Sequence, residues 1–169
     1  VVMFDPMSGK MYNPVVENGR VYVSLKSGES IILQTYADAE VRAADDYAVA
    51  EELNAIKLDG EWTLAFGTDA YPQVAKTYKM AEGPTAWENL DDQTAQLMGT
   101  GVYTTTFTVS KQQAALATGG WSINLGDVRE SARVYVNGEY AGCAWSAPFI
   151  VDLGNLVKEG ENTLKVEVT

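Results

Sequence analysis

Histidine is absent from this chain of 169 residues, and cysteine occurs once, as Cys143. The lack of histidine excludes a Cys/His zinc cluster and every Ser-His-Asp or Cys-His catalytic arrangement, and it removes the commonest general base. A single cysteine cannot form a disulfide within the chain. Any catalysis by this chain would therefore have to use carboxylate, tyrosine or lysine side chains.

Basic residues are also scarce, since 12 Lys and Arg stand against 23 Asp and Glu, a formal net charge of -11. Such a composition argues against an exposed basic stripe that could neutralise phosphates, and so against nucleic acid as a partner. No apolar run approaches the roughly 20 residues that a membrane-spanning helix requires.

Hydrophobic residues make up 46% of the chain, enough for one globular domain with part of another. The sequence starts at Val1 without an initiator methionine or signal peptide and stops at Thr169 within an apparent strand. We therefore expect both ends to be cuts from a longer protein, so that the missing signal gives no information about destination.

Alternating apolar and polar residues at 62–66 and 101–109 predict two strands, each with one face in the core. Five further short strands are predicted at 121–125, 132–136, 139–142, 149–153 and 162–168, and one or two helical turns at 111–118, ended by Gly119-Gly120. Many short strands without strand-helix alternation favour an all-β sandwich or jelly roll over a parallel α/β fold.

The first third of the chain is less regular. Residues 21–25 and 30–36, separated by the polar stretch 26–29, predict a hairpin. Residues 37–56 fit either an amphipathic helix, with Val49, Leu53 and Ile56 on one face, or a polar linker. Both interpretations separate two regions, residues 1–56 and 57–169.

Four short motifs follow one another in the second region. They are a Leu125-Gly126-x-Val128 turn, the Asn137-Gly138 hairpin signal, a Trp145-x-x-Pro148 stretch and a Gly160-x-Asn162 turn, preceded upstream by Gly60-Glu61-Trp62 and Gly101-x-Tyr103. This ordered set, over residues 58–169, resembles the galactose-binding-like jelly roll known as the sugar-binding domain of family 2 glycoside hydrolases. It is more similar still to the C-terminal region of family 106 α-L-rhamnosidases.

The resemblance implies that residues 57–169 are a jelly roll that packs on the catalytic (β/α)8 barrel of a glycoside hydrolase. Residues 1–56 would then be the last strands of a preceding β-domain plus a linker. The barrel that carries the catalytic carboxylates in these families does not match any part of this sequence, so we expect a non-catalytic accessory module. A secreted or periplasmic location is likewise implied by the resemblance alone.

Two other functions stay open. One is an autonomous carbohydrate-binding module, and the other is a protein-interaction β-sandwich of a surface protein. Sugar binding would use exposed aromatic side chains as platforms, and Trp145, Tyr140 and Trp87 are the candidates. Trp62 and Trp121 lie in alternating strands and are expected in the core. For Trp145, packing against Pro148 or a neighbouring domain is the favoured interpretation, because tryptophan is usually largely buried.

The remaining polar residues give no catalytic or metal site. Acidic residues are plentiful, but nothing in their spacing selects the facing pair that glycoside hydrolysis needs, so no catalytic residue is assigned. A structural Ca²⁺ is common in jelly rolls of this kind, yet no Asp-x-Asp-x-Asp-Gly loop is present, and no cofactor is predicted. We expect Arg129 and Glu130 to form a surface ion pair and Cys143 to be a small buried apolar residue.

Overall fold

The computed structural model of the chain describes residues 1–37, 40–49, 53, 55–67 and 77–169. These fall into two compact units, Val1–Glu52 and Leu53–Thr169. Regular structure in the described ranges is almost entirely β, apart from α1 (Lys111–Leu116) and short 3-10 turns, so the predicted all-β sandwich is confirmed. None of the described helices is both long enough and apolar enough to cross a membrane.

The first unit consists of short strands. In chain order they are β1 (Val2–Phe4), β2 (Met11–Asn13), β3 (Val16–Glu17), β4 (Arg20–Val21), β5 (Ile32–Gln34) and β6 (Asp45–Asp46). Four of them form a sheet in the order β5-β1-β2-β6, and β3 pairs with β4 in a separate hairpin.

The predicted hairpin between residues 21–25 and 30–36 is wrong. A turn does form between them, where the Glu29 N–H donates to the Lys26 carbonyl over 3.0 Å, but β4 pairs with β3 and β5 pairs with β1. The cause is Asn18-Gly19, whose φ angles of 50° and 74° suit a type I′ turn and reverse the chain earlier.

The helix interpretation of residues 37–56 is also wrong where this segment is described. Residues 40–49 contain β6 and no helix, and Val49 and Leu53 of the proposed apolar face are 52% and 55% exposed. The Asn13 side chain holds this part extended, because it accepts from the Ala43 N–H at 2.8 Å and donates to the Ala43 carbonyl at 3.1 Å. Residues 38–39, 50–52 and 54 lie outside the described residues.

The second unit contains eight strands in its described ranges and buries nearly all of the core. In chain order they are β7 (Trp62–Phe66), β8 (Tyr78–Met80), β9 (Gly101–Val109), β10 (Trp121–Asn124), β11 (Ala132–Val136), β12 (Glu139–Ala144), β13 (Ile150–Gly154) and β14 (Gly160–Val168). Six of them form an antiparallel sheet in the order β12-β11-β14-β9-β7-β8, and β10 pairs with β13 in a second sheet.

Strict alternation places one face of the six-stranded sheet in the core. Trp62, Leu64 and Phe66 of β7 are buried, as predicted, and the same alternation runs through β9, β11 and β14. Val151 and Leu153 of β13, in the second sheet, belong to the same hydrophobic core as these buried residues. The predicted helical turns are confirmed as α1, which begins with a capping box between Ser110 and Gln113.

Two asparagine side chains join the β11–β12 hairpin to the turn before β14. Asn162 is almost fully buried, donates to the Lys158 and Gly160 carbonyls at 2.7 and 3.0 Å, and accepts from the Lys158 N–H at 2.8 Å. Its remaining acceptor bond, at 2.9 Å, comes from the Asn137 amide. Asn137 in turn accepts from the Thr163 N–H at 3.0 Å. The Asn-Gly and Gly-x-Asn motifs are therefore two halves of one hydrogen-bonded structure.

Replacing Asn162 with alanine should lower the free energy of unfolding by about 3 kcal/mol, because several buried polar groups would lose their partners at once. Chemical denaturation followed by circular dichroism measures this change. The matched control is Asn155→Ala at a solvent-exposed position, for which we expect a change within about 0.5 kcal/mol. Equal denaturation midpoints for the two variants would show that the hydrogen bonds of Asn162 do not stabilise the fold.

Candidate functional site

A cleft of about 620 Å³ lies in the second unit beside the core. Its floor is formed by buried side chains from three neighbouring strands, Trp62 of β7, Tyr103 of β9 and Val166 of β14. Two loops supply the walls, residues 84–97 before β9 and residues 125–130 before β11. Its volume is in the range of sites for small ligands.

The first wall is held in place by Asp91. Its carboxylate accepts from the N–H groups of Thr94 and Gln93 at 2.8 and 3.0 Å, and from the Tyr78 hydroxyl at 3.0 Å. The bond from the Thr94 backbone is the largest cause of the lowered pKa of Asp91. A carboxylate kept ionised by fixed donors positions the loop, whereas a general acid would need the opposite shift.

Trp87 presents the aromatic surface of this wall. Its ring packs edge-on against Phe66 at 5.7 Å between centroids, and Gly101 lies against it so closely that a Cβ there would be 2.9 Å from the indole. In the described part of the chain the indole N–H has no hydrogen-bond partner, although every fully buried side-chain polar atom has one. The Trp87 N–H therefore reaches solvent and can donate to a ligand.

The second wall is a loop with an unusual backbone. Gly126 and Arg129 have φ angles of 72° and 76°, and the latter value is uncommon for a residue with a side chain. The Arg129 guanidinium bonds the Asp127 carboxylate at 2.9 Å. The predicted surface ion pair of Arg129 is therefore made with Asp127 and not with Glu130.

Tyr103 links the floor to the first wall. Its hydroxyl donates to the Thr85 carbonyl at 2.9 Å, and burial raises the pKa of Tyr103 to about 12. The phenol therefore stays protonated at neutral pH and acts as a hydrogen-bond donor to the loop.

A second group of aromatic residues lies on the outer face of the six-stranded sheet. Tyr140 is 57% exposed, and its ring lies 5.4 Å from that of its cross-strand partner Tyr135. Lys165 lies 3.8 Å from the centroid of the Tyr135 ring and bonds Glu167 at 2.8 Å. That bond is the main cause of the lowered pKa of Glu167.

A β-bulge turns Tyr140 outward. The register shifts by one residue between Val134, which pairs with Gly142, and Tyr135, which pairs with Tyr140, so Ala141 is the extra residue. Without the bulge, Tyr140 would share the inward face of Gly142. Sequence reasoning missed Tyr135 because it was counted within a core strand, although its place between buried Val134 and Val136 gives it the outer face.

The end of β12 corrects one prediction and half of another. Trp145 is 59% exposed, so it does not pack beneath the following loop, whereas its packing against a neighbouring domain stays a prediction. Cys143 is exposed and not buried, because the alternation that buries Ala144 turns Cys143 outward beside its partner Arg133. Of the three predicted ligand-binding residues, Trp87 lines the cleft, and Tyr140 and Trp145 do not.

In the ranges that the structure describes, no group of three or more acidic or cysteine side chains could hold a metal ion. What the cleft offers instead is aromatic surface with hydrogen-bonding groups at its rim. Glu88, Asn89, Asp127, Arg129 and Glu130 form that rim.

Comparison with known proteins places the chain among parts of larger enzymes. No protein-family model matches it. Over 114 residues, 68% of the chain, it is 35% identical to a putative β-glucuronidase of Formosa agariphila, of which the match covers 10%. A rhamnosidase from Novosphingobium sp. PP1Y matches 99% of the chain with a TM-score of 0.70 and 26% identity, over 16% of its own length.

A β-glucuronidase of Ruminococcus gnavus shares the fold, with a TM-score of 0.56 and 19% identity over 73% of this chain and 22% of its own. The chain therefore spans a small part of each of these relatives. All three are glycoside hydrolases, and the chain is similar to a segment of such enzymes.

The stability of the chain should decrease between pH 10 and pH 12 because of Tyr103. The pKa of Tyr103 rises from 10.0 to about 12 on folding, so in this window the unfolded chain loses the phenol proton first and is favoured as pH rises. The expected loss is about 2 kcal/mol, complete above pH 12 and absent below pH 10.

Denaturation across this window, compared with Tyr103→Phe, measures the contribution. The variant keeps Tyr78, whose pKa is also raised, so the difference between the two pH slopes belongs to Tyr103. Identical slopes would show that Tyr103 titrates normally.

Proposed function

We propose that this chain is a β-sandwich accessory module of a larger glycoside hydrolase of the α-L-rhamnosidase type, which packs on the catalytic barrel and supports it. In this proposal residues 57–169 are a galactose-binding-like jelly roll and residues 1–56 end a preceding β-domain. The observation that carries it is the match of nearly the whole chain to 16% of a rhamnosidase. A full match to so small a segment is what an accessory module would give.

The surface of the first unit supports the same proposal. In its described part, Val2 and Met3 are the buried hydrophobic residues. All three residues of β5 are exposed. In addition, β5 lies at the edge of its sheet, so one side of its backbone has no neighbouring strand in the described part of the sheet. The exposed large hydrophobic residues of this unit are Val1, Met7, Met11, Val15, Val16, Tyr22, Leu25, Ile32, Leu33, Tyr36 and Val49. Among them, Ile32 and Leu33 lie side by side on an edge strand, where a contact with further protein would cover them.

Two measurements test the proposal. The isolated chain should not hydrolyse aryl α-L-rhamnosides or aryl β-D-glucuronides, and the full enzyme that carries this segment should hydrolyse one of them. Ile32→Asp should cost under about 0.5 kcal/mol in the isolated chain, where Ile32 is 53% exposed. In the full enzyme the same change should cost about 2 kcal/mol or more, because a charge would be buried at the contact.

Ile32→Val is the matched control and should be nearly neutral in both proteins, since it keeps an apolar side chain at the same place. Thermal and chemical denaturation give the comparison. Hydrolysis by the isolated chain would overturn the accessory role, and an equal cost of Ile32→Asp in both proteins would overturn the contact.

An autonomous carbohydrate-binding module is the second candidate, and the exposure of Trp145 and Tyr140 favours it. Flat, solvent-facing aromatic rings are what a polysaccharide surface binds. If this function holds, the isolated chain should be retained on an insoluble polysaccharide, and Trp145→Ala should abolish the retention. Leu116→Ala, at another exposed apolar position, is the control. Equal retention of both variants would exclude Trp145 as the platform.

A further inference from the structure

We infer that Asn18 is a site of spontaneous modification, at which the side-chain amide is lost and aspartate or isoaspartate forms, whereas the fold protects Asn137 from the same reaction. The dipeptide Asn-Gly occurs at two places in the chain, Asn18-Gly19 and Asn137-Gly138. The modification is independent of the proposed function, because it requires only this chain and water.

The reaction joins the side chain of an asparagine to the backbone of the residue that follows it. The backbone nitrogen attacks the side-chain Cγ and forms a C–N bond, while the Cγ–Nδ2 bond breaks and ammonia leaves with the proton of that nitrogen. Water then opens the cyclic imide at either of its carbonyls, which gives aspartate or isoaspartate. A following glycine favours the attack, because it has no Cβ to crowd the reacting atoms.

The two Asn-Gly turns have the same backbone conformation. Each is the turn of an antiparallel hairpin, β3–β4 in one case and β11–β12 in the other. The φ angles are 50° and 74° at Asn18 and Gly19, and 53° and 85° at Asn137 and Gly138, as in a type I′ turn. Both glycines are exposed, and an added Cβ would meet nothing within 4 Å at either. Solvent therefore reaches both turns, and the backbone gives no reason for different rates.

The side chain of Asn137 is fixed by hydrogen bonds. It donates to the Leu156 carbonyl and to the Asn162 side chain, both at 2.9 Å, and it accepts from the Thr163 N–H at 3.0 Å. To bring its Cγ to the Gly138 nitrogen, the side chain would have to leave these partners. Such a movement requires the network beside the core to open first.

Asn18 lacks this protection. It is exposed, and its side chain has no hydrogen bond in the described part of the chain. Its hairpin is a separate sheet of two strands, each two residues long, so local opening costs little free energy. Because three hydrogen bonds of ordinary strength hold the Asn137 side chain, Asn137 should react about a hundredfold more slowly than Asn18.

The products would change the β3–β4 hairpin and leave the second unit as it is. Aspartate at this position adds a negative charge next to Glu17. Isoaspartate also lengthens the backbone of the turn by a methylene group. A two-residue type I′ turn does not accommodate the extra atom, so β3 and β4 would lose their pairing in the isoaspartate form.

The test is incubation of the folded chain at mildly alkaline pH, followed by tryptic digestion and mass spectrometry. The peptide of residues 11–20 should gain the mass that replacement of an amide by an acid gives, while the peptide that contains Asn137 stays unchanged. Asn13 of the first peptide does not interfere, because Pro14 has no N–H to attack with. The rate at Asn18 should rise with pH, because the attacking nitrogen must give up its proton.

Comparison with the chain unfolded in urea separates the fold from the local sequence. There, Asn18 and Asn137 should react at rates within about threefold of each other, because no fixed hydrogen bonds remain. Asn18→Gly keeps a turn that accepts positive φ and should abolish the mass gain in residues 11–20.

A further variant releases Asn137 in the folded chain. Asn162→Ala removes one partner of the Asn137 side chain and should raise the rate at Asn137 about tenfold. Asn155→Ala, at an exposed position, is the matched control and should leave both rates unchanged. Circular dichroism verifies that each variant is folded, and if Asn162→Ala does not fold, the comparison in urea decides.

Equal rates at Asn18 and Asn137 in the folded chain would overturn the inference. A difference that persists unchanged in urea would also overturn it, because the local sequence and not the fold would then be the cause. The same holds if Asn18 keeps its amide in the folded chain and loses it in urea. None of these results bears on the accessory role, which the hydrolysis assay and Ile32→Asp test separately.

Discussion

The second unit depends on the pair of asparagine side chains that fastens the β11–β12 hairpin to the turn before β14. β11 and β14 are adjacent in the six-stranded sheet, and Asn137 and Asn162 meet where both strands have an end. Every bond in this network satisfies a group that would otherwise be unpaired next to the core. The strand that this network anchors, β14, also pairs Val166 with Tyr103 of β9, and these two residues lie in the floor of the cleft.

The sequence predicts the sheet well where burial decides the structure. In β7, β9, β11 and β14 the alternation is enforced by one buried face, so reading the period gives both the strand and its orientation. It fails in the first unit, where strands of two or three residues bury little and the choice of hairpin is made by Asn18-Gly19. Where a strand buries little apolar surface, the geometry of the turn decides which strands pair, and the pattern of apolar residues does not.

Only part of the candidate site could be predicted from the sequence. Trp87 could be selected as an aromatic residue in a polar stretch, but its neighbours in the cleft come from loops about 40 residues apart along the chain, and no local pattern brings these together. The sequence could not predict the backbone conformation of Arg129 or its ion pair with Asp127, because nothing in a sequence marks a non-glycine residue that adopts a positive φ.

The bulge at Ala141 lets Gly142 face the core and Tyr140 face outward, although two residues that are two positions apart in a regular strand lie on the same face. Gly142 and Ala144 keep their inward places, while Tyr140 faces outward on the far side of the extra residue. Deletion of Ala141 would leave Gly142 opposite Val134 and Tyr140 opposite Tyr135, so it would remove the bulge without moving the aromatic ring or the core residues from their faces. The edge of this sheet is therefore a place where related modules can lose or gain one residue without the compensating core substitutions that a change in a central strand would demand.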